Sequence, residues 1–338
     1  MTKAAELAKM GEVLTNSQIG GRRNIVINGA MLVAQRGTSF SSIADNAYSL
    51  DRWLYYENGD SVSDASQSTD TPNNNFKNSL KLDVQTADTS VATGDLTCFL
   101  QKIEGQNVYQ LGWGTADAET VTLSFWVKST KTGIHSGAFK NSAQDRSYVF
   151  EYTVNVSNTW EYKTITVAGD TSGTWLTTNG IGVQVTFALM AGTDFTKTAG
   201  SWGSGNNYGS DNQVNVMDSA SNEWYITGIQ LEVGSVATPF EHRSFGEELA
   251  LCRRYCTALM HYGAGDVTGN GLYNADYNGN TNMSFIRMGY TQMRENPNIT
   301  YGSNATVQTD YSSNGLIQFF LGSSVNWRIY DVLLESEL

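Results

Sequence analysis

The sequence predicts a mainly β protein: an antiparallel β-sandwich (jelly roll) with a short N-terminal helix, a linking helix and a small C-terminal β-rich domain. Three observations carry that prediction. Only 16% of residues are charged, and the 338 residues include 33 glycines but three prolines, a mixture suited to many strands joined by short polar turns. Several segments alternate apolar and polar residues with a period of two, the pattern of a strand with one buried face. At about 100–200 residues per domain, the length leaves room for a second unit.

Residues 1–22 come first. "TKAAELAKMGEVL" places Leu7, Met10 and Leu14 at helical spacing among good helix formers, and "TNSQIGG" stops the pattern. A helix below about 12–15 residues is marginal alone in water. Its apolar stripe is therefore expected to pack on another chain or on the body of the protein, as an attachment or oligomerisation segment.

Residues 23–243 read as the sandwich. In "VTLSFWVKS" Val121, Leu123, Phe125 and Val127 point one way, while Thr122, Ser124, Trp126 and Lys128 point the other. "YVFEYTVNV" and "IGVQVTFALM" alternate likewise, and the last strand, "WYITGIQLEV", puts Tyr225, Thr227, Ile229, Leu231 and Val233 on one face. With weaker segments such as "NIVINGAMLV", "LDRWLYY", "SLKLDV", "LTCFLQKI" and "WEYKTITV", about nine strands are expected. The stretch "AGSWGSGNNYGSDNQVNVMDSASN" is too glycine-rich to be core.

From residue 244 to 338 the character changes to a linking helix and a small β domain. Ser244 with Glu247 three residues on is a capping-box pattern, followed by Leu251, Tyr255 and Leu259 at helical spacing. Three cysteines, Cys98, Cys252 and Cys256, are too few for a disulfide framework. They read as buried small apolar side chains, with a bridge between Cys252 and Cys256, on one face of that helix, as the minor alternative.

Two blocks carry a family likeness: "RRNIVINGAMLVAQRGTSF" followed by "YSLDRWLYY", and "GIQLEVGSVATPFEHRSFGEELALCRRYC". In order and spacing they resemble tail-fibre and related virion structural proteins of tailed, especially marine, bacteriophages. The resemblance implies a carbohydrate-binding-module-like jelly roll between an N-terminal helix and a small β domain, usually in a homotrimer. It implies partners among other virion proteins and a possible host-surface glycan, and display on the virion. Such jelly rolls often hold a structural calcium. No catalytic residues accompany the motifs, whose roles read as architectural: Gly29 as a turn or bulge, and Asp51-Arg52-Trp53 ordering a strand start, with the partner of Asp51 left open. The expected function is a non-enzymatic tail fibre or fibre-like appendage acting in assembly and attachment. A capsid- or tail-bound decoration protein is the first alternative and a polysaccharide depolymerase the second.

The chemistry agrees with that expectation. A net charge of −12 argues against a nucleic-acid footprint, which needs clustered Lys and Arg. No apolar run approaches the ~20 residues of a membrane span, and the start lacks a signal-peptide core. Glu223 and Glu232, nine apart on the last strand, fall on opposite faces if the strand is regular, so they do not form the carboxylate pair of a glycosidase. His135, His242 and His261 stand apart from any nucleophile motif. "NADYNGN" opens like a calcium loop at Asn274, Asp276, Asn278 and Gly279, but Phe285 occupies the twelfth position where Glu is required. No cofactor and no metal site are expected from the residues.

Exposed aromatics remain as the candidate binding elements. Trp126 shares its strand face with Ser124 and Lys128, and Trp175 and Trp202 lie in loops rich in Gly or Thr. Their flat faces could stack on sugars, or the rings could cover strands or form subunit contacts.

Overall fold

A strand's backbone N–H and C=O groups need partners when buried, and here two large antiparallel sheets supply them. The computed structural model describes residue 3 and residues 23–259, 272–273, 284–303, 307–312, 316–321 and 328–338. Leu7, Met10 and Leu14, and the segment from Asn274 to Gly279, lie outside the described residues.

In chain order the first strands are β1 (Ser39–Phe40), β2 (Ala47–Tyr48), β3 (Leu54–Asn58), β4 (Val62–Ser68), β5 (Ser79–Thr86), β6 (Leu96–Glu104), β7 (Val121–Ser129) and β8 (Gly133–Lys140). They continue with β9 (Arg146–Val154), β10 (Glu161–Val167), β11 (Ile181–Ala191), β12 (Thr196–Lys197), β13 (Trp202–Ser204), β14 (Gly209–Ser210) and β15 (Glu223–Val233). One sheet has the order β1-β4-β5-β15-β7-β10 and the other β13-β9-β8-β11-β6-β3-β2. Eight of the nine expected strands form; the additional ones are β4 and β8, seven and eight residues of small and polar composition, and five pieces of two or three residues, too short for alternation to register.

The inward faces of β7 and β11 are those the alternation predicts: Leu123, Phe125, Val127, Val185, Phe187 and Leu189 are all buried in one core. Phe187 sits at its centre, with the rings of Trp53, Phe125, Phe150 and Trp224 within 6.3 Å. Such aromatic pairs add about 0.5–1.5 kcal/mol each beyond area burial.

The segment from Asn24 to Val33 is a buried loop, not a strand. Asn28 and Met31 both adopt left-handed backbone (φ 57°), which breaks a regular ladder: backbone bonds to β15 remain at Ile25 (to the Leu231 carbonyl, 2.8 Å) and Gly29 (from the Ile229 N–H, 3.0 Å), and side chains serve the rest. Asn24 Oδ1 accepts from the N–H groups of Val26 and Leu231. Gln101 bonds both the N–H and C=O of Ile27, and the Asn28 amide bonds Val33 and Asp51. Gly29 lies where a Cβ would overlap the Ile229 carbonyl, so it serves close backbone approach. Asp51 accepts from Gln35, through the backbone N–H (2.7 Å) and the side-chain amide (2.5 Å), not from Arg52.

The glycine-rich stretch after β11 also differs from expectation. Tyr208 packs on the outside of the second sheet with Leu54, Leu96, Cys98 and Leu100, and Val216 and Met217 enter the main core. The outer face of that sheet is apolar at those positions, so covering it removes surface that water would otherwise meet.

The linking helix α1 (Phe245–Arg253) has the expected capping box, with Ser244 Oγ accepting from Glu247 N–H and the Glu247 carboxylate accepting from Ser244 N–H (2.9 Å). It is shorter than the spacing predicts. Tyr255 turns back onto Cys252, and Cys256 begins β16 (Cys256–Leu259), so Cys252 and Cys256 do not share a helix face. All three cysteines are free and buried. The remaining strands are β17 (Leu272–Tyr273), β18 (Ser284–Gly289), β19 (Asn298–Ser303), β20 (Val307–Ser312), β21 (Leu316–Leu321) and β22 (Arg328–Glu335). β22 pairs with β16, β17 and β19, while β21 lies between β18 and β20. Just past β22, Glu337 forms a buried ion pair with Arg52, whose guanidinium lies 3.6 Å from the centre of the Tyr255 ring.

Candidate functional site

The site begins with a backbone irregularity. Gly228 has φ +62°, and the pairing of β15 with β7 slips by one residue between Thr227 and Gln230. Such a bulge reverses which side chains face the core. Trp224 and Ile226 point inward before it, and Ile229 and Leu231 after it. Tyr225 and Thr227 therefore share the outer face with Gln230 and Glu232, which corrects the uniform alternation expected for this strand.

The same bulge overturns the expectation that Glu223 and Glu232 lie on opposite faces. Both face outward, yet they are far apart: Glu232 pairs with Thr122, while the Glu223 carbonyl accepts from Thr130. Eight residues at ~3.3 Å each put them roughly 26 Å apart, far beyond the carboxylate spacing of a glycosidase. Each is also engaged, Glu232 by Thr238 and Gln230, and Glu223 by Lys81 and Tyr225.

On this outer face lies a groove of about 760 Å³, lined by Asn73, Asn75, Phe76, Ser124, Trp126, Tyr162, Gly228, Pro239, Phe240 and His242. That size falls in the ordinary range for ligand clefts. Strands supply the floor: Trp126 and Ser124 from β7, Tyr162 from β10, Gly228 from β15. Trp126 and Tyr162 are register partners, with ring centroids 5.2 Å apart. Phe76, Phe240 and His242 form the wall, their rings 4.9–5.4 Å apart. A Cβ on Gly228 would come within 2.7 Å of the Phe76 ring and 3.2 Å of Trp126.

The wall is held by the "ATPFEHR" turn. Glu232 accepts from the Thr238 N–H (2.9 Å) and hydroxyl (2.6 Å), Arg23 donates to the Thr238 hydroxyl (3.0 Å), and Glu241 N–H donates to Gln230 (2.8 Å). The turn that leads from sheet to helix thus also places Pro239, Phe240 and His242 at the groove.

Hydrogen-bonding capacity separates the three tryptophans named from the sequence. Among the described residues, Trp126 Nε1, the Tyr162 and Ser124 hydroxyls, the Asn75 amide and the His242 ring nitrogens make no hydrogen bond. Trp175 and Trp202 lie elsewhere and cluster with buried Trp113, ring centroids 4.8–5.4 Å apart and nearly edge to face. Their indole N–H groups donate to the carbonyls of Ser172 (3.1 Å) and Ala168 (2.7 Å). Both rings are half-buried and pack on one another, the strand-covering arrangement. Only Trp126 of the three lines the groove.

A charged cluster continues along the same face. Lys128 lies 4.0 Å from the centre of the Tyr225 ring and pairs with Asp70, which also accepts from Trp160 Nε1 (2.8 Å). Burial opposes the Asp70 carboxylate, but hydrogen bonds from Lys128 and Trp160 outweigh it and hold its pKa below the usual range. Lys81 is bracketed by Asp83 (3.1 Å) and Glu223 (2.7 Å). Among the described residues no cluster of three or more His, Cys, Asp or Glu side chains could hold a metal ion, and no helix is long and apolar enough to cross a membrane.

No protein-family model matches the chain, and no curated protein matches it either. Among solved structures, it is similar to the enzymatically active domain of tailspike protein 4 of bacteriophage CBA120 at 15% identity and a TM-score of 0.34, over 62% of this chain and 21% of that one. A carbohydrate-binding module, CBM4, is 16% identical with a TM-score of 0.32, over 61% of this chain and 98% of that one. A family 11 carbohydrate-binding module from Clostridium thermocellum, in complex with a mixed-linked tetrasaccharide, is 14% identical with a TM-score of 0.29, over 60% and 98%.

Tyr162, Phe76, Phe240, Asn73, Asn75 and His242 were not singled out as binding residues from the sequence. A signal existed for Tyr162: in "WEYKTITV", alternation puts Trp160, Tyr162, Thr164 and Thr166 on one polar and aromatic face. Nothing local marks Phe76, which reaches the groove from the loop before β5.

Proposed function

We propose that this chain binds glycan in the groove around Trp126, as a non-enzymatic structural protein of a phage virion, a tail fibre or fibre-like appendage. The carrying observation is the contrast among its tryptophans: among the described residues, Trp126 lines an open groove with its indole N–H free, beside Tyr162 and unpartnered hydroxyl, amide and imidazole groups. A sugar offers apolar C–H faces to an aromatic ring and hydroxyls that both donate and accept, and this lining answers both. The virion assignment is supported by the two motif blocks of the sequence. Attachment to other virion proteins through residues 1–22, and a homotrimer presenting three grooves, belong to the same proposal. Several weak sites on one particle bind a surface far more tightly than one does.

Labelled full-length protein is expected to bind intact host cells and extracted host polysaccharide without releasing reducing ends. Trp126→Ala should weaken that binding by roughly 30-fold, the size of a ~2 kcal/mol hot spot. Release of reducing ends would instead make the protein a depolymerase, and binding to empty capsids but not to cells a decoration protein.

A further inference from the structure

We infer that the glycan taken by this groove is uncharged, an inference that rests on reading the groove as a glycan site. Among the described residues the lining contains no Asp, Glu, Lys or Arg side chain: its polar groups are Asn73, Asn75, Ser124, Tyr162 and His242. A uronate, sialate or phosphate buried there would lose hydration without gaining a charge-assisted partner.

The nearby cations do not change this. Lys128, on the same face, is 5% exposed and bound to Asp70. Lys81 is held between Asp83 and Glu223. Arg243, next to His242 in the chain, is turned away toward Glu241, Glu248 and the carbonyls of Asn24 and Val26. Lys77 is exposed, and Arg23 is held by the Thr238 hydroxyl and the Pro239 carbonyl of the wall turn; neither side chain lines the groove. The chain's net charge of −12 adds a weak repulsion of anionic polymers, screened over about 8–10 Å at ordinary salt. The polar inventory suits hydroxyls: amides and hydroxyls that donate and accept, with aromatic rings for C–H faces.

The test is affinity electrophoresis and titration of the full chain against matched polysaccharides: neutral galactan, mannan and glucan beside polygalacturonate, alginate and polysialic acid. Binding to at least one neutral polymer is expected, changing less than twofold between 50 and 500 mM NaCl, with at least tenfold weaker binding to every acidic one. Tyr162→Ala, at a position 44% exposed, should reduce neutral binding while keeping the wild-type melting temperature. Asn75→Lys, at an exposed rim position, should raise binding to an acidic polymer at least threefold. Acidic polymers bound as tightly as neutral ones, through Tyr162, would overturn the inference while leaving the glycan site standing. Absence of binding to any glycan, these six and host polysaccharide included, would overturn the glycan reading and the inference with it.

Discussion

Trp126 and Tyr162 are register partners on neighbouring strands, with ring centroids 5.2 Å apart on the outer face of the six-stranded sheet. Two aromatic surfaces meet there beside polar groups with no hydrogen-bond partner among the described residues. Because Trp126 is only half-buried and outside the main core, its truncation should act on binding more than on folding. Trp126→Ala is expected to lower stability by less than about 1.5 kcal/mol while abolishing most glycan affinity, measured by urea denaturation beside titration.

Gly228 sets both the bulge and the groove floor. Its φ of +62° costs an L-residue about 1–2 kcal/mol, and an added Cβ would press on Phe76 and Trp126. Gly228→Ala should therefore destabilise the protein by about 2 kcal/mol or more and weaken glycan binding, with the Phe76 ring displaced in a crystal structure of the variant.

The Arg52–Glu337 pair joins the sandwich to the end of the C-terminal sheet. Arg52 is 1% exposed, and Arg36 also donates to Glu337 (2.9 Å). Removing one member of such a pair leaves an uncompensated buried charge, at a cost of about 3–5 kcal/mol. Glu337→Gln should lower the urea midpoint accordingly, while leaving glycan binding at the distant groove within twofold of wild type.

Lys140 gives a pH dependence of unusual sign. Its ammonium is fully buried, 3.1 Å from the centre of the Tyr208 ring and bonded to Asn206, and burial pushes its pKa down to about 7. In the unfolded chain the value is about 10.4. Between the two the unfolded state holds a proton the folded state has lost, so stability rises with pH. The melting temperature should climb from about pH 7 to 9.5, and Lys140→Met should flatten that climb.

The sandwich was largely legible because strands such as β7 and β11 alternate large apolar residues, which enter the main core, with mostly polar or small ones. Legibility failed where the chain departs from period two. The segment from Asn24 to Val33 is apolar enough for a strand, but Asn24, Asn28 and Gln101 satisfy its backbone from the side. The Gly228 bulge inverted the faces of the last strand; a glycine inside a strand often marks a bulge, but the alternation on either side of Gly228 reads as continuous in the sequence. In the helix after Ser244, pairing of Cys256–Leu259 with β22 overrides a helical pattern, a competition decided by residues some 75 positions later. Of the site, Trp126 was visible through its alternation. The wall of Phe76, Phe240 and His242 comes from two loops some 160 residues apart, and only the fold brings them together.

The central claim is that Trp126, not the Trp175 and Trp202 cluster, meets the glycan. Eight tryptophans give eight indole N–H signals in a nitrogen–proton correlation spectrum, assignable by single Trp→Phe substitutions. On titration with an oligosaccharide from the bound polymer, the account predicts that the Trp126 Nε1–H signal shifts most, while those of Trp175 and Trp202 stay in place. Shifts confined to Trp175 and Trp202, with Trp126 unmoved at saturation, would contradict it.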